Sequence, residues 1–320
     1  MPYTGHTNEI LTPPFQRYEI FSSAAGFILP RINVRSSRVR TRTKQRIHHT
    51  DQVGQATNHT DRAGRVKFEY SDEASVLKPY RLAGDVADAD REDSDGIEGD
   101  LDMDTVEAVS IGLNLGWEKR VKALVTTEAS YTKTVLDLNA GTRPAWQQPF
   151  SNDASNLRAI IEEGMNLIAR HGGCMADSLL ISPRLMPHLS GNKIIRETLR
   201  YHRVGGLSKA LLAEYLSTEG MEFSPDNIMV PRITHNTAGE NNPSYDYVWD
   251  GTEMILFASA KPQQAAQSVF FGATLTFEGT PAISSRRAVD FQGDIHEGLF
   301  WQHEKVYSFD RAVFIKGGIA

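Results

Sequence analysis

LDMDTVEAVSIGLNLGWEKRVKALV, residues 101–125, is where the periodicity of the chain changes from two to 3.6. Val106, Val109, Leu113, Trp117, Val121 and Leu124 return every three or four residues, which places them on one face of a helix. Asp104 and Glu107 stand in the D-x-x-E arrangement of a capping box, so the spacing predicts a helix over about 104–128. At 1.5 Å per residue such a helix is roughly 36 Å long. Gly112 and Gly116, four apart, predict close packing of a neighbour against it. Glu118, beside Trp117, reads as a carboxylate on the helix surface.

Upstream the pattern is extended. Residues 1–30, with Pro2, Pro13, Pro14 and Pro30, read as an arm crossing a surface. Residues 31–47 have period two and are rich in β-branched side chains, so they predict one strand. One parity carries Ile32 and Val34 and then five cations, Arg38, Arg40, Arg42, Lys44 and Arg46. A polar, turn-rich stretch follows, and residues 65–84 return with Val66, Phe68 and Tyr70 on one side, completing a long hairpin. Between hairpin and helix, residues 85–104 hold ten acidic residues and one basic residue, Arg91. They are the electrostatic complement of the cation stripe.

Downstream, Leu157, Ile160, Ile161, Met165 and Ile168 keep helical spacing until Gly172 and Gly173. SLLIS predicts a strand, Ser182-Pro183 starts a helix, IIRETLRYH and SKALLAEYLS predict short helices, and NIMVP a strand. YDYVWDGTEMILFAS predicts a pair of strands around Asp250 and Gly251, and VFFGATLTFEG and LFWQHEKVYSFDRAVFIKGG predict long strands that return for a final sheet. The expected fold class is α+β, with strands from both chain ends and one long helix in the first region, and a compact α/β insert in the second. The boundaries read as an arm over 1–30, the hairpin and its base over 31–84, the long-helix region over 85–150, the insert over 151–270, and return strands over 271–320.

Bulk properties narrow the function. At 320 residues the chain exceeds what one core supports, so a two-part body is expected. With 40% hydrophobic and 23% charged residues it has the composition of a soluble globular protein. No apolar stretch approaches the roughly 20 residues that span a bilayer, and no signal-peptide layout opens the chain, so a cytoplasmic location without membrane contact is expected. Cys174 stands alone, which excludes an internal disulfide and a multi-cysteine metal site. The nucleotide, zincin and hydrolase templates G-x-G-x-x-G, G-x-x-x-x-G-K-[ST], H-E-x-x-H and G-x-S-x-G do not occur. A calcium loop aligned on Gly96 would use Asp93 and Asp95 but would put Arg91 at its first position and Asp102 at its twelfth. The expectation is no catalytic residue, no cofactor and no metal.

The stripe from 38 to 46 has three readings. Its side chains, about 6.6 Å apart on a strand face, match the spacing of nucleic-acid phosphates. Against that, the net charge is -6 and aromatic residues do not interleave the cations. Alternatively the cations guard a solvated strand edge against pairing. In the third reading they meet an acidic surface of another subunit, for which Asp88, Asp90, Glu92, Glu98, Asp100 and Asp102 repeat at even spacing. Each exposed pair contributes only about 0.2–1 kcal/mol, so the pairing sets register more than affinity.

In this order, the parts resemble the major capsid (coat) protein of tailed bacteriophages. LDMDTVEAVSIGLNLGWEKRVKALV resembles the spine helix of that family, and residues 86–104 the lead-in found in one branch of it. Trp146, residues 150–153, the helix ending in HGG and SLLISPRLMPHLSGNKIIRETL resemble the start of the axial domain. DYVWDGTEMILF is similar to the family's Trp-Gly segment leading into an apolar strand. CMADSLL departs from the pattern, because the family often has a Pro-Asn turn there. The resemblance implies an N-terminal arm, an extended loop, a peripheral domain and an axial domain. It also implies a non-enzymatic subunit that assembles with itself, as hexamers and pentamers, into an icosahedral virion shell in the host cytoplasm. Scaffold, portal and decoration proteins and non-specifically contacted packaged DNA are the further partners implied. An encapsulin-like nanocompartment is the alternative with the same fold, and a two-domain α/β enzyme the alternative from another class.

Overall fold

The computed structural model describes residues 23–44, 70–94, 100–140, 144–199, 207–217, 223–238, 243–259, 270–290 and 292–319. The strands in chain order are β1 (Arg31–Val34), β2 (Arg38–Lys44), β3 (Tyr70–Val76), β4 (Lys78–Ala87), β5 (Val135–Asp137), β6 (Ser178–Ile181) and β7 (Ile228–Met229). They continue as β8 (Thr234–Asn236), β9 (Tyr245–Tyr247), β10 (Met254–Phe257), β11 (Gly272–Phe277), β12 (Ala282–Ala288), β13 (Gly293–Val306) and β14 (Ala312–Lys316).

The long helix forms over Leu101–Val125. Its N-cap is Asp100, whose carboxylate accepts from the backbone N–H of Asp102 at 3.1 Å. It therefore starts about a turn before the capping box read from the sequence, and Asp104 stands exposed in its first turn. The cause is packing: Met103 lies against Val106, Val109, Leu113, Ile283 and Phe300, which draws the first turn onto the sheet beneath. At the other end Thr126 caps the helix, its hydroxyl donating to the Lys122 carbonyl at 2.8 Å. Gly112 lies under Leu82 of β4, where a Cβ would come within 2.5 Å of Leu82 Cδ2, so the close packing expected of this glycine is present.

The first sheet has the order β1-β11-β13-β12, with β4 on the other side of β13. β13 is its centre, pairing antiparallel with β4, β12 and β11. The second sheet has the order β5-β14-β10-β6-β7 and is buried on both faces. Leu179, Ile181, Met254, Leu256, Val313 and Ile315 face a cluster that includes the insert helix Leu157–Gly172. Leu180, Ile255, Phe257, Ala312 and Phe314 face Ala24, Ala25, Ile28 and the C-terminal half of the long helix. Burial on both faces is why these strands read as unbroken apolar runs instead of alternating ones. The insert helix ends as predicted, with Gly173 in the left-handed conformation at φ 66.

Several expectations are corrected. Ala24–Ile28 is a short buried helix, not part of an arm crossing a surface; residues 1–22 lie outside the described residues. The strand expected over 31–47 breaks at residues 35–37, because β1 leaves to pair parallel with β11 while β2 pairs with β3. Asp88–Ser94 is a helix. β12 adds a strand that the sequence reading did not find. β9 and β10 do not pair with each other; β9 pairs with β8, and β10 sits between β6 and β14. β14 and β5 complete the second sheet, so residues 271–320 divide between the two sheets.

The position of the cap gives a direct test. Asp100→Ala should lower unfolding stability by about 1 kcal/mol, measured by chemical denaturation, while Asp104→Ala should cost less than half as much.

Candidate subunit-interaction surface

β2 and β3 form a two-stranded ribbon whose register puts Arg38 opposite Val76 and Arg40 opposite Ala74. Directly opposed residues share a face, so Val39 and Ser75 lie on the other side. That other side is the seated one: Ser75 is buried, and Lys305 Nζ of β13 donates to its hydroxyl at 3.2 Å. The base is closed by Leu77, buried, whose N–H donates to the Ser37 carbonyl at 2.9 Å. The cation side faces outward, with Arg38 and Arg40 exposed and Val76 51% exposed beside them. Neither arginine has an ion pair among the described residues. Arg42 and Lys44 continue the strand, with Arg42 opposite Asp72 and Lys44 opposite Tyr70; Arg46 lies outside the described residues.

The acidic segment has already committed part of its charge inside the subunit. Both carboxylate oxygens of Asp88 receive the Arg287 guanidinium, and Arg91 adds a contact at 3.3 Å. Arg91 also reaches Asp294 at 2.8 Å and Asp102 at 2.5 Å. The same Asp102 oxygen accepts from His296 Nε2 at 2.7 Å, and His296 Nδ1 accepts from the Ser285 hydroxyl at 2.8 Å. This clasp fastens the start of the long helix to β12 and β13. The Arg287 hydrogen bond, aided by Arg91, holds the Asp88 carboxyl below the usual carboxylate range. Burial pushes Asp102 up, but the hydrogen bonds from Arg91 and His296 outweigh it and leave the group lowered. Asp100 is occupied as the helix cap. Asp90 and Glu92 are exposed and carry no ion pair among the described residues; Glu98 lies outside them. The sequence-predicted carboxylates therefore separate into an inward set, Asp88, Asp100 and Asp102, and an outward pair, Asp90 and Glu92.

Two features under the long helix were not legible as function. Glu118, read as a surface carboxylate, has no exposed area. It accepts from the Ser23 hydroxyl at 2.5 Å, from the Ala25 N–H at 3.1 Å and from Trp249 Nε1 at 3.1 Å. Burial pushes its carboxyl up, opposed by the hydrogen bonds from Ser23, Trp249 and the backbone of Ala25 and Ala24. The signal was present, since Glu118 falls four residues after Asn114 and three before Val121 on the buried stripe. The helix also meets the first sheet through polar groups. Arg31 donates to Asn114 Oδ1 at 2.7 Å while stacking 4.0 Å from the Trp117 ring. Arg120 reaches Glu304 at 2.9 Å and Gln302 at 3.1 Å, and lies 3.5 Å over Tyr80.

Among the described residues no cluster of histidine, cysteine and carboxylate side chains is arranged to hold a metal. None of their helices is long and apolar enough to cross a membrane.

No protein-family model matches the chain, and no curated protein does. Solved structures do. A phage-related protein from Bordetella bronchiseptica RB50 is 16% identical over 99% of both chains, with a TM-score of 0.75. A chain from the capsid of the cyanophage P-SCSP1u is 12% identical over 99% of this chain and 89% of its own, TM-score 0.55. One from the mature capsid of bacteriophage PhiM1 is 10% identical over 93% and 88%, TM-score 0.53. At these identities the likeness establishes the fold: the chain has the α+β fold of these phage capsid chains along nearly its whole length.

Two tests follow from this geometry. Glu118→Ala leaves the Ser23, Ala25 and Trp249 donors without their acceptor and should cost about 1–3 kcal/mol for each buried one left unsatisfied, whereas Trp249→Phe, which removes one donor, should cost about 1–2 kcal/mol in all; equilibrium unfolding measures both. Because Asp102 is lowered in the folded state, its contribution is present above the unfolded carboxylate value, about 4, and is lost as pH falls through the folded value. The stability gap between wild type and Asp102→Asn should therefore be open at pH 7 and close on acidification below about pH 4.

Proposed function

We propose that this chain is the structural subunit of a tailed-bacteriophage capsid, a shell that encloses double-stranded DNA, and that it is not an enzyme. The observation that carries the reading is the whole-chain fold match to capsid chains. The outward cation ribbon of a net-acidic protein supports it. The first sheet with the long helix is then the peripheral domain, the second sheet with its insert helices the axial domain, and residues 31–84 the extended loop and its base. Subunits would join as hexamers and pentamers assembled in the host cytoplasm, with scaffold, portal and decoration proteins as further partners. DNA would contact the inner face without specificity.

In this shell Arg38, Arg40, Arg42, Lys44 and Arg46 lie over a neighbour's acidic surface. Of the predicted carboxylates among the described residues, Asp90 and Glu92 are available to receive them, because Asp88, Asp100 and Asp102 are engaged at home. Long-range attraction between such surfaces steers encounter and fixes register.

Sedimentation of the expressed full chain should show megadalton particles, and a small fixed oligomer would contradict the reading. Arg38→Glu with Arg40→Glu should leave the subunit folded and abolish or misdirect assembly; normal particles from that variant would remove the cation stripe from the interface.

A further inference from the structure

Two buried side chains beneath the long helix carry polar atoms that nothing among the described residues satisfies. Thr276 of β11 is 2% exposed and Gln302 of β13 has no exposed area, yet the Thr276 hydroxyl and Gln302 Nε2 each lack a hydrogen-bond partner there. Leaving a buried polar group unpaired costs more than an average hydrogen bond contributes, so native structures satisfy such groups with protein or with ordered water. The amide is not free to turn over. Its Oε1 accepts from Arg120 Nη2 at 3.1 Å, and reversing it would set one donor against another. Nε2 therefore points away from Arg120. Thr274, two residues back on the same face of β11, is the contrast: it accepts from Trp117 Nε1 at 3.2 Å and donates to the Leu29 carbonyl at 3.0 Å.

The two unmet groups complement each other. Thr276 and Gln302 are directly opposed in the β11–β13 register, so they stand on one face with their Cβ atoms about 4.5–5.5 Å apart. Gln302 Nε2 only donates and a hydroxyl both donates and accepts, yet the two do not bond to each other. The ladder also breaks beside them. Pairing with β11 ends at this pair, and from Leu299 the same edge of β13 pairs with β12, so residues 277–281 face only 300 and 301. β4 holds the opposite edge through both stretches. An excess of residues on one strand bends it and disrupts the ladder locally, which keeps facing side chains from closing fully. Arg120, the cation that touches Gln302, is itself paired with Glu304 at 2.9 Å, so the group between Thr276 and Gln302 need carry no charge. Asn33 of β1, beside Thr276 in register, is exposed, so solvent lies one residue away.

We propose that Thr276 and Gln302 hold an internal water molecule, which accepts from Gln302 Nε2 and donates to the Thr276 hydroxyl oxygen. A polar pair of this kind is the smallest set that retains an internal water. Its effect reaches the long helix. By holding Nε2 the water keeps Oε1 turned toward Arg120, whose guanidinium reaches Glu304 and lies 3.5 Å over Tyr80. It thus positions the cation that ties the helix to β13 and β4. The site does not depend on the shell-subunit reading, because both residues lie inside one chain.

Thr276→Val, which keeps the branched shape and removes the hydroxyl, tests this by sign. With the water in place the variant loses a hydrogen bond, and equilibrium unfolding should show the folding constant lowered by about fivefold. A hydroxyl buried without a partner would instead be relieved by the methyl, so wild-type or greater stability of Thr276→Val would overturn the proposal. In a Gln302→Met background the loss from Thr276→Val should shrink, since both residues act through one water, and full additivity would count against it. The decisive observation needs no variant to fold. A map of the wild-type full-length protein, assembled or not, at a resolution that shows ordered water, should contain an isolated peak about 2.7–3.2 Å from both Gln302 Nε2 and the Thr276 hydroxyl. A direct bond between the two side chains, or another side chain filling the place, would overturn the water site and leave the shell reading untouched.

Discussion

Glu118 is the point on which the rest of the structure turns. A carboxylate taken out of water costs several kcal/mol, and the chain offsets this only by bringing donors from far apart in sequence to one place. Ser23 and Ala25 come from the N-terminal side and Trp249 from the insert, while Glu118 itself belongs to the long helix. The five-residue helix Ala24–Ile28 is too short to stand alone in water; the carboxylate at its N-terminus and the surrounding apolar cluster hold it. The same contact pins the second sheet against the helix, since Trp249, Ile255 and Phe257 share the cluster with Trp117 and Val121. Lys122 and Asp250 reinforce the junction with an ion pair.

The two halves of the molecule are held by different physics. Around the second sheet the contacts are apolar on both faces, which gives strength but little directional preference. Beneath the long helix, polar and directional contacts are added to the apolar packing. Trp117 Nε1 donates to Thr274, whose hydroxyl donates to the Leu29 carbonyl, and Arg31 and Arg120 bridge helix and strands. At the helix start the Arg91, Asp102 and His296 clasp adds a third directional tie. Buried polar ties add little net stability over apolar packing, yet they allow few alternative arrangements.

What could be read from the sequence was whatever depends on local periodicity. The long helix, the insert helix ending at Gly173 and the cation-bearing strand all declared themselves, because one face of each is buried or charged in register. What could not be read depends on partners distant along the chain. β1 and β2 look like one strand until β11 claims the first four residues. β14 follows β13 closely and would be assigned to the same sheet, but its apolar faces belong with β10 and β5. Of the candidate interaction surface, the cation stripe was legible and the engagement of the carboxylates was not. Even spacing made Asp88 and Asp102 look as available as Asp90 and Glu92, and only the positions of Arg91, Arg287 and His296 separate them.

The central claim is that the outward face of the ribbon is completed by another copy of the chain. A map of the particles formed by the full-length protein, at a resolution that shows side chains, tests this most directly. The account predicts the Arg38 and Arg40 face of each subunit's ribbon lying on a neighbour, within reach of its Asp90 and Glu92. A map in which that face folds back onto its own subunit, or stays in solvent while shells close through other contacts, would contradict it.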